Sequence, residues 1–422
     1  MEIIGKGDYE LGAVWVARKV PAGHVTSHAN QARIRTFKLN DPENTLYAPD
    51  VVSFAKKIGL YPADQPDELF SFSDIYDPIT FSGARYCEAR VWSFFSSIMG
   101  QEWSDQYVDY ALGYNLTNRM PLFVAPPEGQ KVSLLDTMQY MRSHYENTQL
   151  DMSGKTFNDV GAYTNSIYRA HPLTWSSTVT PMGQQGSTPL SYLNERPIAT
   201  PQTGWNFVAQ SRASVPRELA GVIWFGVDDS GTTVRTPVYG SATSVPPTFY
   251  GKGPQDGVVP PMMKFSLDSA FYVFNLVANW AYTRWDLMQP EISATINQLE
   301  NSLLNMVQET DKQAISVYNA NGAAAAVQFV TDFSVQTGEG LVKRWFEYFG
   351  ELFVKYRDGY VITTNAADTA CGCNAQSAGY PQQWYDRIVK DAGKHYAVPP
   401  EDSKLKNSKF NPVAKTGLKA LR

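Results

Sequence analysis

Two short segments of the chain contain residue types that can stabilise negative charge. Residues 24–34 read His-Val-Thr-Ser-His-Ala-Asn-Gln-Ala-Arg-Ile and include Asn30, and residues 82–92 read Ser-Gly-Ala-Arg-Tyr-Cys-Glu-Ala-Arg-Val-Trp and include Arg85 and Arg90. A carboxamide can donate to an oxyanion without carrying charge, and a guanidinium can favour the thiolate form of a cysteine. As residues alone, Asn30 suits a strand cap or a turn equally well, and one of the arginines suits a structural ion pair.

A pair of carboxylates, Asp228-Asp229, follows the apolar run Val222–Val227. A carboxylate at the end of a strand could bind the free ammonium group of a peptide substrate. Aspartate is also an ordinary residue for the turn that follows a strand. We therefore treat Asp228 and Asp229 as candidate substrate-binding residues, with the structural turn as the alternative.

The cysteines and histidines do not form a metal-binding pattern. The chain has three cysteines, which cannot all pair within it, so no disulfide framework is predicted. Cys87 lies in a predicted buried helix and is expected to be a structural thiol, not a nucleophile. Cys371-Gly-Cys373 is too tight for a zinc knuckle, and the five histidines lack ligand spacing, so we predict no metal and no other cofactor.

The two polar segments resemble catalytic strips of the cysteine dipeptidase family (dipeptidase A-like), which belongs to the N-terminal-nucleophile hydrolases with penicillin V acylase and bile salt hydrolase. Other similar stretches run in order along nearly the whole chain, among them Phe70–Asp74, Asn115–Pro121, Trp224–Asp229 and Gly379–Trp384. The resemblance implies metal-free hydrolysis of dipeptides. It implies that Asn30 is the oxyanion donor and that Arg85 is the cation beside the nucleophile, with Arg90 as its rival.

The resemblance also implies a cysteine at the mature N-terminus, whose own α-amine, titrating near pH 8, serves as the base. No cysteine-led strip precedes Met1. We therefore expect the sequence to begin inside the family's domain and the chain to be inactive by itself. The alternatives are an N-acyl amidase of the same clan, of the bile salt or penicillin V type, and a non-catalytic binding protein that retains the fold.

The elements that must position these residues are strands in the first part of the chain and helices later. Residues 13–20 and 24–34 predict a hairpin, residues 84–99 a buried helix, and residues 194–211 and 221–228 further strands. The fold class is α+β. By resemblance it is the αββα four-layer sandwich, incomplete at the N-terminus, with a helical C-terminal extension. We predict a hydrolase domain over residues 1–262, a helical region over 263–400 that ends in a small hairpin at Asp358-Gly359, and a disordered basic tail over 401–422.

The composition excludes several function classes. A net charge of −5 argues against a broad nucleic-acid surface. The most apolar stretch, residues 271–282, is too short to span a bilayer and predicts a buried helix. The expected partner is the dipeptide substrate. Oligomeric state and compartment stay open: a homo-oligomer, the cytoplasm and the bacterial envelope are all compatible with the sequence.

Overall fold

The computed structural model describes residues 1–151, 174–179, 184–250, 265–369, 371–380 and 382–397. Helices and small antiparallel sheets make up these residues, which confirms the α+β class. They divide into two compact units. Unit 1 contains residues 1–145 and the described part of 169–200, and unit 2 contains the described parts of 146–168 and 201–422.

The four-layer sandwich, the domain boundary and the basic tail stay predictions. Sheets of two and three strands do not confirm the four-layer sandwich. The predicted domain boundary at residue 262 and the basic tail over 401–422 both lie outside the described residues. Within the described ranges, no helix combines the length and the apolar character that crossing a bilayer requires.

Unit 1 begins with a three-stranded antiparallel sheet in the order β1-β2-β3, made of β1 (Glu2–Gly5), β2 (Ala13–Arg18) and β3 (Thr45–Tyr47). Its helices are α1 (Val51–Lys57), α2 (Phe72–Tyr76), α3 (Phe81–Gly83), α4 (Ala89–Met99), α5 (Gln101–Ala111) and α6 (Leu134–Tyr140). A single π-helical turn, Ala84–Glu88, joins α3 to α4. A hairpin of β4 (Thr174–Val179) and β5 (Gln185–Leu193) completes the unit.

The core of unit 1 forms where β2 faces α1. Val14 and Val16 of β2 are fully buried in one cluster with Val51 and Phe54 of α1, which matches the alternation of apolar residues along the strand. Helix α1 begins after Asp50. The Asp50 side chain does not cap the helix, however, because its carboxylate accepts a hydrogen bond from Lys6 Nζ at 2.5 Å.

The predicted hairpin between residues 13–20 and 24–34 is wrong. Strand β2 pairs with β1 and β3 instead, and residues 24–34 contain no strand. Two carboxylates satisfy this segment's amides. Glu2 accepts from the amides of Arg33 at 2.7 Å and Ile34 at 2.9 Å, and Asp77 accepts from that of Ala32 at 2.7 Å. Because these amides have side-chain partners, the segment needs no neighbouring strand.

Unit 2 combines a three-stranded antiparallel sheet with long helices. The sheet has the order β6-β7-β8, made of β6 (Trp205–Ser211), β7 (Gly221–Val227) and β8 (Thr236–Tyr239). The helices α7 (Ala270–Thr283), α8 (Trp285–Asn321) and α9 (Ala323–Tyr356) pack against β7 and β8. A hairpin of β9 (Tyr360–Thr364) and β10 (Cys373–Ser377) and the helix α10 (Gln382–Ala392) follow.

Helix α7 confirms the buried helix predicted over residues 271–282, but three other expectations for this half of the chain are wrong. Residues 194–204 precede β6 and are not part of a strand. Asp358 and Gly359 lie between α9 and β9, so the hairpin there is the later one, β9–β10. Cys371 and Cys373 form a disulfide, contrary to the expectation from the cysteine count.

The sheet of unit 2 has two different faces. Val222 and Trp224 are fully buried on the face that meets the helices. Trp205, Phe207 and Ile223 of the opposite face are 60%, 46% and 39% exposed. The Trp205 ring stacks on that of Phe207 at 5.8 Å between centroids. Among the described residues, this second face of the sheet is therefore only partly covered, and its most exposed side chains are those of β6.

Helix α9 approaches the sheet of unit 2 most closely at Gly338. A Cβ there would collide with the Pro246 ring and lie 3.4 Å from Thr236 Cγ2, whereas a Cβ at the exposed Gly340 would meet nothing within 4 Å. We expect Gly338→Ala to lower the free energy of unfolding by about 1–3 kcal/mol through overpacking. Gly340→Ala should raise it by about 0.5–1 kcal/mol through helix propensity. Urea unfolding of both variants tests this, and equal effects would contradict it.

Candidate functional site

Asn30 is exposed on the irregular segment of residues 24–34, which is held by buried side chains on both sides. Glu2 is 4% exposed, and its Oε1 lies 2.7 Å from His28 Nε2, in addition to the two backbone amides it accepts from. This contact with Glu2 is the main reason that the pKa of His28 is raised. The charge–charge contact therefore persists to higher pH than it would for an isolated histidine, and it anchors the chain two residues before Asn30.

A buried ion pair fixes the same segment to the helix that follows. Arg33 Nε lies 3.2 Å from Glu88 Oε2, with 3% and 2% of the two side chains exposed. The Arg33 guanidinium also donates to the carbonyls of Ser27 and Pro121, both at 2.9 Å. Tyr110 Oη donates to the same Glu88 oxygen at 3.1 Å. The segment that carries Asn30 and the turn that ends at Glu88 are thus one rigid body.

The structure brings Asn30 together with Arg90. Arg90 Nη2 donates to Asn30 Oδ1 at 2.8 Å, and Arg90 Nε donates to the Tyr86 carbonyl, also at 2.8 Å. With its oxygen occupied, the Asn30 carboxamide has its Nδ2 hydrogens left to donate, and no acceptor among the described residues takes them. The NH2 group of Asn30 is therefore the part of the carboxamide that can bind a further acceptor, and its role as an oxyanion donor stays a prediction.

Cys87 lies beneath this contact. Burial raises the pKa of its thiol, although Arg90 and the backbone amide of Asn30 both act to lower it. The residue is 8% exposed. A protonated, buried thiol is a poor nucleophile. The predicted burial of Cys87 is therefore confirmed, and its structural role stays a prediction.

The structure does not bring Arg85, the favoured arginine of the sequence analysis, to Asn30. Arg85 Nη1 pairs with Glu195 Oε1 at 2.8 Å, and its Nε donates to the Leu112 carbonyl at 3.0 Å. Its guanidinium also lies 4.7 Å from the centroid of the Phe81 ring. Arg85 lies in the π-helical turn, whereas Arg90 lies in α4, and the two side chains leave the helical segment toward different partners. A catalytic role of Arg85 stays a prediction.

The sequence patterns do not single out Arg196, which is close to Arg85 and Arg90 in the structure. Its amide donates to the Arg85 carbonyl at 3.2 Å, and its carbonyl accepts from Tyr145 Oη at 2.6 Å. Burial, then the positive charge of Arg90, lower the pKa of Arg196. Residue 196 falls in a stretch predicted as a strand, where an arginine carries no motif that would single it out.

Asp228 and Asp229 are found in unit 2, and they are 3% and 1% exposed. Asn275 Nδ2 donates to Asp228 Oδ1 at 3.2 Å. Tyr282 Oη donates to Asp229 Oδ2, and the Gly231 amide donates to Asp229 Oδ1 at 2.9 Å. Two buried carboxylates that are satisfied by their own unit suit a structural turn. Their proposed contact with a substrate ammonium stays a prediction.

Burial, reinforced by the neighbouring Asp229 carboxylate, raises the pKa of Asp228 to about 7. Asp228 also has a positive φ of 69°, a conformation that aspartate and asparagine adopt more readily than most residues. Metal binding does not explain the acidic pair, since the described ranges contain no group of three or more His, Cys, Asp or Glu side chains placed to hold an ion.

Comparison with known proteins identifies the family of the chain. The sequence profile of peptidase family C69 matches residues 1–298. A probable dipeptidase of Salmonella dublin is 31% identical over 140 residues, which are 33% of this chain and 30% of that protein. Dipeptidase A of Lactobacillus helveticus is 24% identical over 306 residues, which are 72% of this chain and 52% of that protein.

The chain thus spans about half the length, or less, of the curated relatives it matches. The profile match nevertheless covers most of the chain and includes Asn30, Arg90 and Arg196. It confirms the family that the two polar segments indicate: the chain belongs to peptidase family C69.

Proposed function

We propose that the chain contributes the oxyanion-stabilising and substrate-binding residues of a cysteine-type dipeptidase, whose nucleophile is an N-terminal cysteine outside this sequence. The observation that carries the proposal is the oriented Asn30 carboxamide, whose oxygen is held by Arg90 at 2.8 Å and whose Nδ2 is left to donate. Membership of family C69 and the names of the relatives, dipeptidase A and probable dipeptidase, support a dipeptide as the substrate.

The three cysteines of this chain support a nucleophile from elsewhere. Cys87 is buried with a raised pKa, and Cys371 and Cys373 are bonded to each other. An N-terminal cysteine would attack the scissile carbonyl after its α-amine takes the thiol proton. The new S–C bond creates an oxyanion opposite the Asn30 amide. Collapse breaks the C–N bond, the amine product leaves with the proton, and water hydrolyses the thioester.

Arg90 suits the role of a positioning residue for Asn30 better than Arg85 does. Arg90 contacts the Asn30 side chain directly, whereas Arg85 is neutralised by Glu195 at 2.8 Å. The charge of Arg90 also lies beside the Cys87 thiol. A guanidinium in this place would favour an incoming thiolate as well.

We further propose that the complete protein has the four-layer αββα sandwich. The support is the sheet of unit 2, which has helices on one face and an exposed aromatic face on the other. A sheet that is covered by helices on one side and packs on a second sheet with the other needs this pattern. Trp205 and Phe207 would then face the second sheet.

The test of the dipeptidase is an assay of Ala-Ala hydrolysis by two proteins. One is the 422-residue chain alone, and the other is the chain joined to an upstream segment from its own gene that begins with cysteine. We expect no turnover from the first and, from the second, turnover that thiol alkylation abolishes. Activity that requires zinc, or hydrolysis of N-acyl substrates in preference to dipeptides, would contradict the proposal. Ligand binding without turnover in both proteins would favour a binding protein.

In the active joined protein, Asn30→Ala should lower kcat about 10²-fold, as loss of one oxyanion donor does in other hydrolases. Asn44→Ala is the matched control, because Asn44 is an exposed asparagine of the same unit whose side chain, among the described residues, bonds Asp41 alone, at 3.0 Å. A kcat for Asn30→Ala within twofold of that control would remove Asn30 from the mechanism.

A further inference from the structure

We propose that Arg196 and Arg90 together bind the free α-carboxylate of the dipeptide, on the residue that follows the scissile bond. This site rests on the proposed function, and it identifies the substrate as a peptide that ends one residue beyond the bond that is cut. Nothing in the resemblance or in the family match assigns a role to Arg196.

The backbone of Arg196 is fixed at both of its polar groups. Its amide donates to the Arg85 carbonyl at 3.2 Å. Its carbonyl accepts at 2.6 Å from Tyr145 Oη, a residue that is 1% exposed and packs on Trp92 with 6.3 Å between ring centroids. The backbone of Arg196 is thus held against the π-helical turn that precedes Arg90. A preorganised cation loses little entropy when it binds an anion.

Arg90 and Arg196 differ from Arg33 and Arg85 in their charge balance. Arg33 is neutralised by Glu88 and Arg85 by Glu195. Across the described ranges, by contrast, no carboxylate forms an ion pair with Arg90 or with Arg196.

The Nε atom of Arg196 is buried, and no residue in the described part of the chain accepts a hydrogen bond from it. A buried donor without an acceptor costs free energy, which an acceptor on a bound ligand would recover. Two neighbouring cations without counter-charge repel each other, and burial strengthens that repulsion. A bound carboxylate would accept a hydrogen bond from this Nε and would offset the repulsion between the two arginines. A guanidinium can bind a carboxylate with two parallel hydrogen bonds.

The position of the cluster fits the geometry of a dipeptide. Standard bond lengths place the carboxylate carbon about 4 Å from the scissile carbonyl carbon, so an oxyanion donor and a carboxylate anchor must be neighbours. Arg90 is the neighbour of both. It contacts Asn30 at 2.8 Å, and it donates to the Tyr86 carbonyl, next to the Arg85 carbonyl that accepts from the Arg196 amide at 3.2 Å. In a longer peptide a neutral amide would replace the carboxylate. The two arginines therefore select substrates by length.

Calorimetric titration of the 422-residue chain with Ala-Ala and with Ala-Ala amide tests the site. We expect the free acid to bind about 10- to 100-fold more tightly, the range expected of a charge-assisted pair of hydrogen bonds. Arg196→Gln should reduce this ratio to about 1, and Arg196→Lys should retain part of it. Arg35→Gln is the matched control, because Arg35 is an exposed arginine of the same unit that pairs with Asp74 at 3.2 Å.

Equal binding of acid and amide by the wild-type chain, or no binding of the acid, would overturn the inference without any variant. An unchanged ratio in folded Arg196→Gln would overturn it too. If the joined protein hydrolyses dipeptides but does not discriminate acid from amide, only the carboxylate site fails. If the joined protein hydrolyses none while an Arg196-dependent preference for the acid persists, the dipeptidase proposal fails and the carboxylate site stands.

Discussion

Arg33→Met is expected to lower the free energy of unfolding of unit 1 by about 3–5 kcal/mol, the usual cost of removing one partner of a buried ion pair. Arg33 and Glu88 are 3% and 2% exposed. Without Arg33, the Glu88 carboxylate keeps only the hydroxyl of Tyr110, at 3.1 Å. Urea unfolding gives the total loss, and hydrogen exchange in α4 reports whether the loss is local to the site.

Two further variants separate charge burial from lost packing. Adding Glu88→Gln to Arg33→Met removes the unpaired charge while an oxygen remains for Tyr110, so the double variant should be more stable than Arg33→Met alone. Arg35→Met removes a surface pair with Asp74, in which 58% of the arginine side chain is exposed, and should cost less than about 1 kcal/mol. A double variant as unstable as Arg33→Met would show that packing, and not charge, accounts for the loss.

Asp228→Asn is expected to stabilise unit 2 at pH 8 by an amount on the order of 4 kcal/mol. The pKa of Asp228 is raised from 3.8 to about 7, chiefly by burial. Ionisation of this group therefore costs free energy in the folded state and not in the unfolded one. Asparagine tolerates the positive φ of this position, and its carboxamide oxygen can still accept from Asn275.

The sign of the pH dependence follows from the raised pKa. Below about pH 3 the carboxyl is largely protonated in both states, and its titration no longer contributes to the difference between wild type and variant. Between about pH 4 and 7 the unfolded state releases its proton first, so the Asp228 contribution makes wild-type stability fall as pH rises. Urea unfolding at several pH values measures the difference, with the exposed Asp268→Asn as control. A difference between wild type and Asp228→Asn that does not change with pH would contradict the account.

The sequence predicts local structure well where apolar spacing decides it. The buried helix expected over residues 271–282 is α7, and the capping box at Ser133 begins α6, with Ser133 Oγ accepting from the Asp136 amide at 3.1 Å. Ile292 and Ile296 lie on the buried face of α8, as their spacing predicts. These elements depend on residues within one or two turns of each other, which a single sequence displays.

Contacts between distant residues explain the failures. Residues 24–34 have the apolar and polar content of a strand, but Glu2, about thirty residues earlier in the chain, accepts from their amides and removes the need for a sheet partner. No local pattern marks Glu2 as a buried acceptor. The sequence does not single out Arg196 for the same reason, since its proposed role in binding a carboxylate depends on its position beside Arg90 and not on its neighbours in sequence.

The sequence suggests only part of the candidate site. The resemblance implies that Asn30 is the oxyanion donor, and it leaves two arginines, five residues apart, as candidates for the cation beside the nucleophile. Choosing between Arg85 and Arg90 required the direction in which each side chain leaves the helical segment. Glu195, which neutralises Arg85 at 2.8 Å, is more than one hundred residues away in sequence. The preference for Arg85 therefore stays a prediction, and the ion pair of Arg85 is a long-range contact that its local sequence does not display.

The π-helical turn at Ala84–Glu88 makes the length of this segment as important as its composition. A π turn holds one residue more than an α turn does. Loss of a single residue here would convert the turn to a regular α-helix and rotate Arg85 by roughly 100° relative to Arg90. Arg85 would then leave Glu195 and add a third positive charge to the cluster or turn into solvent. Substitution scanning preserves the number of residues, so only insertions and deletions can reveal this constraint on the spacing of charge.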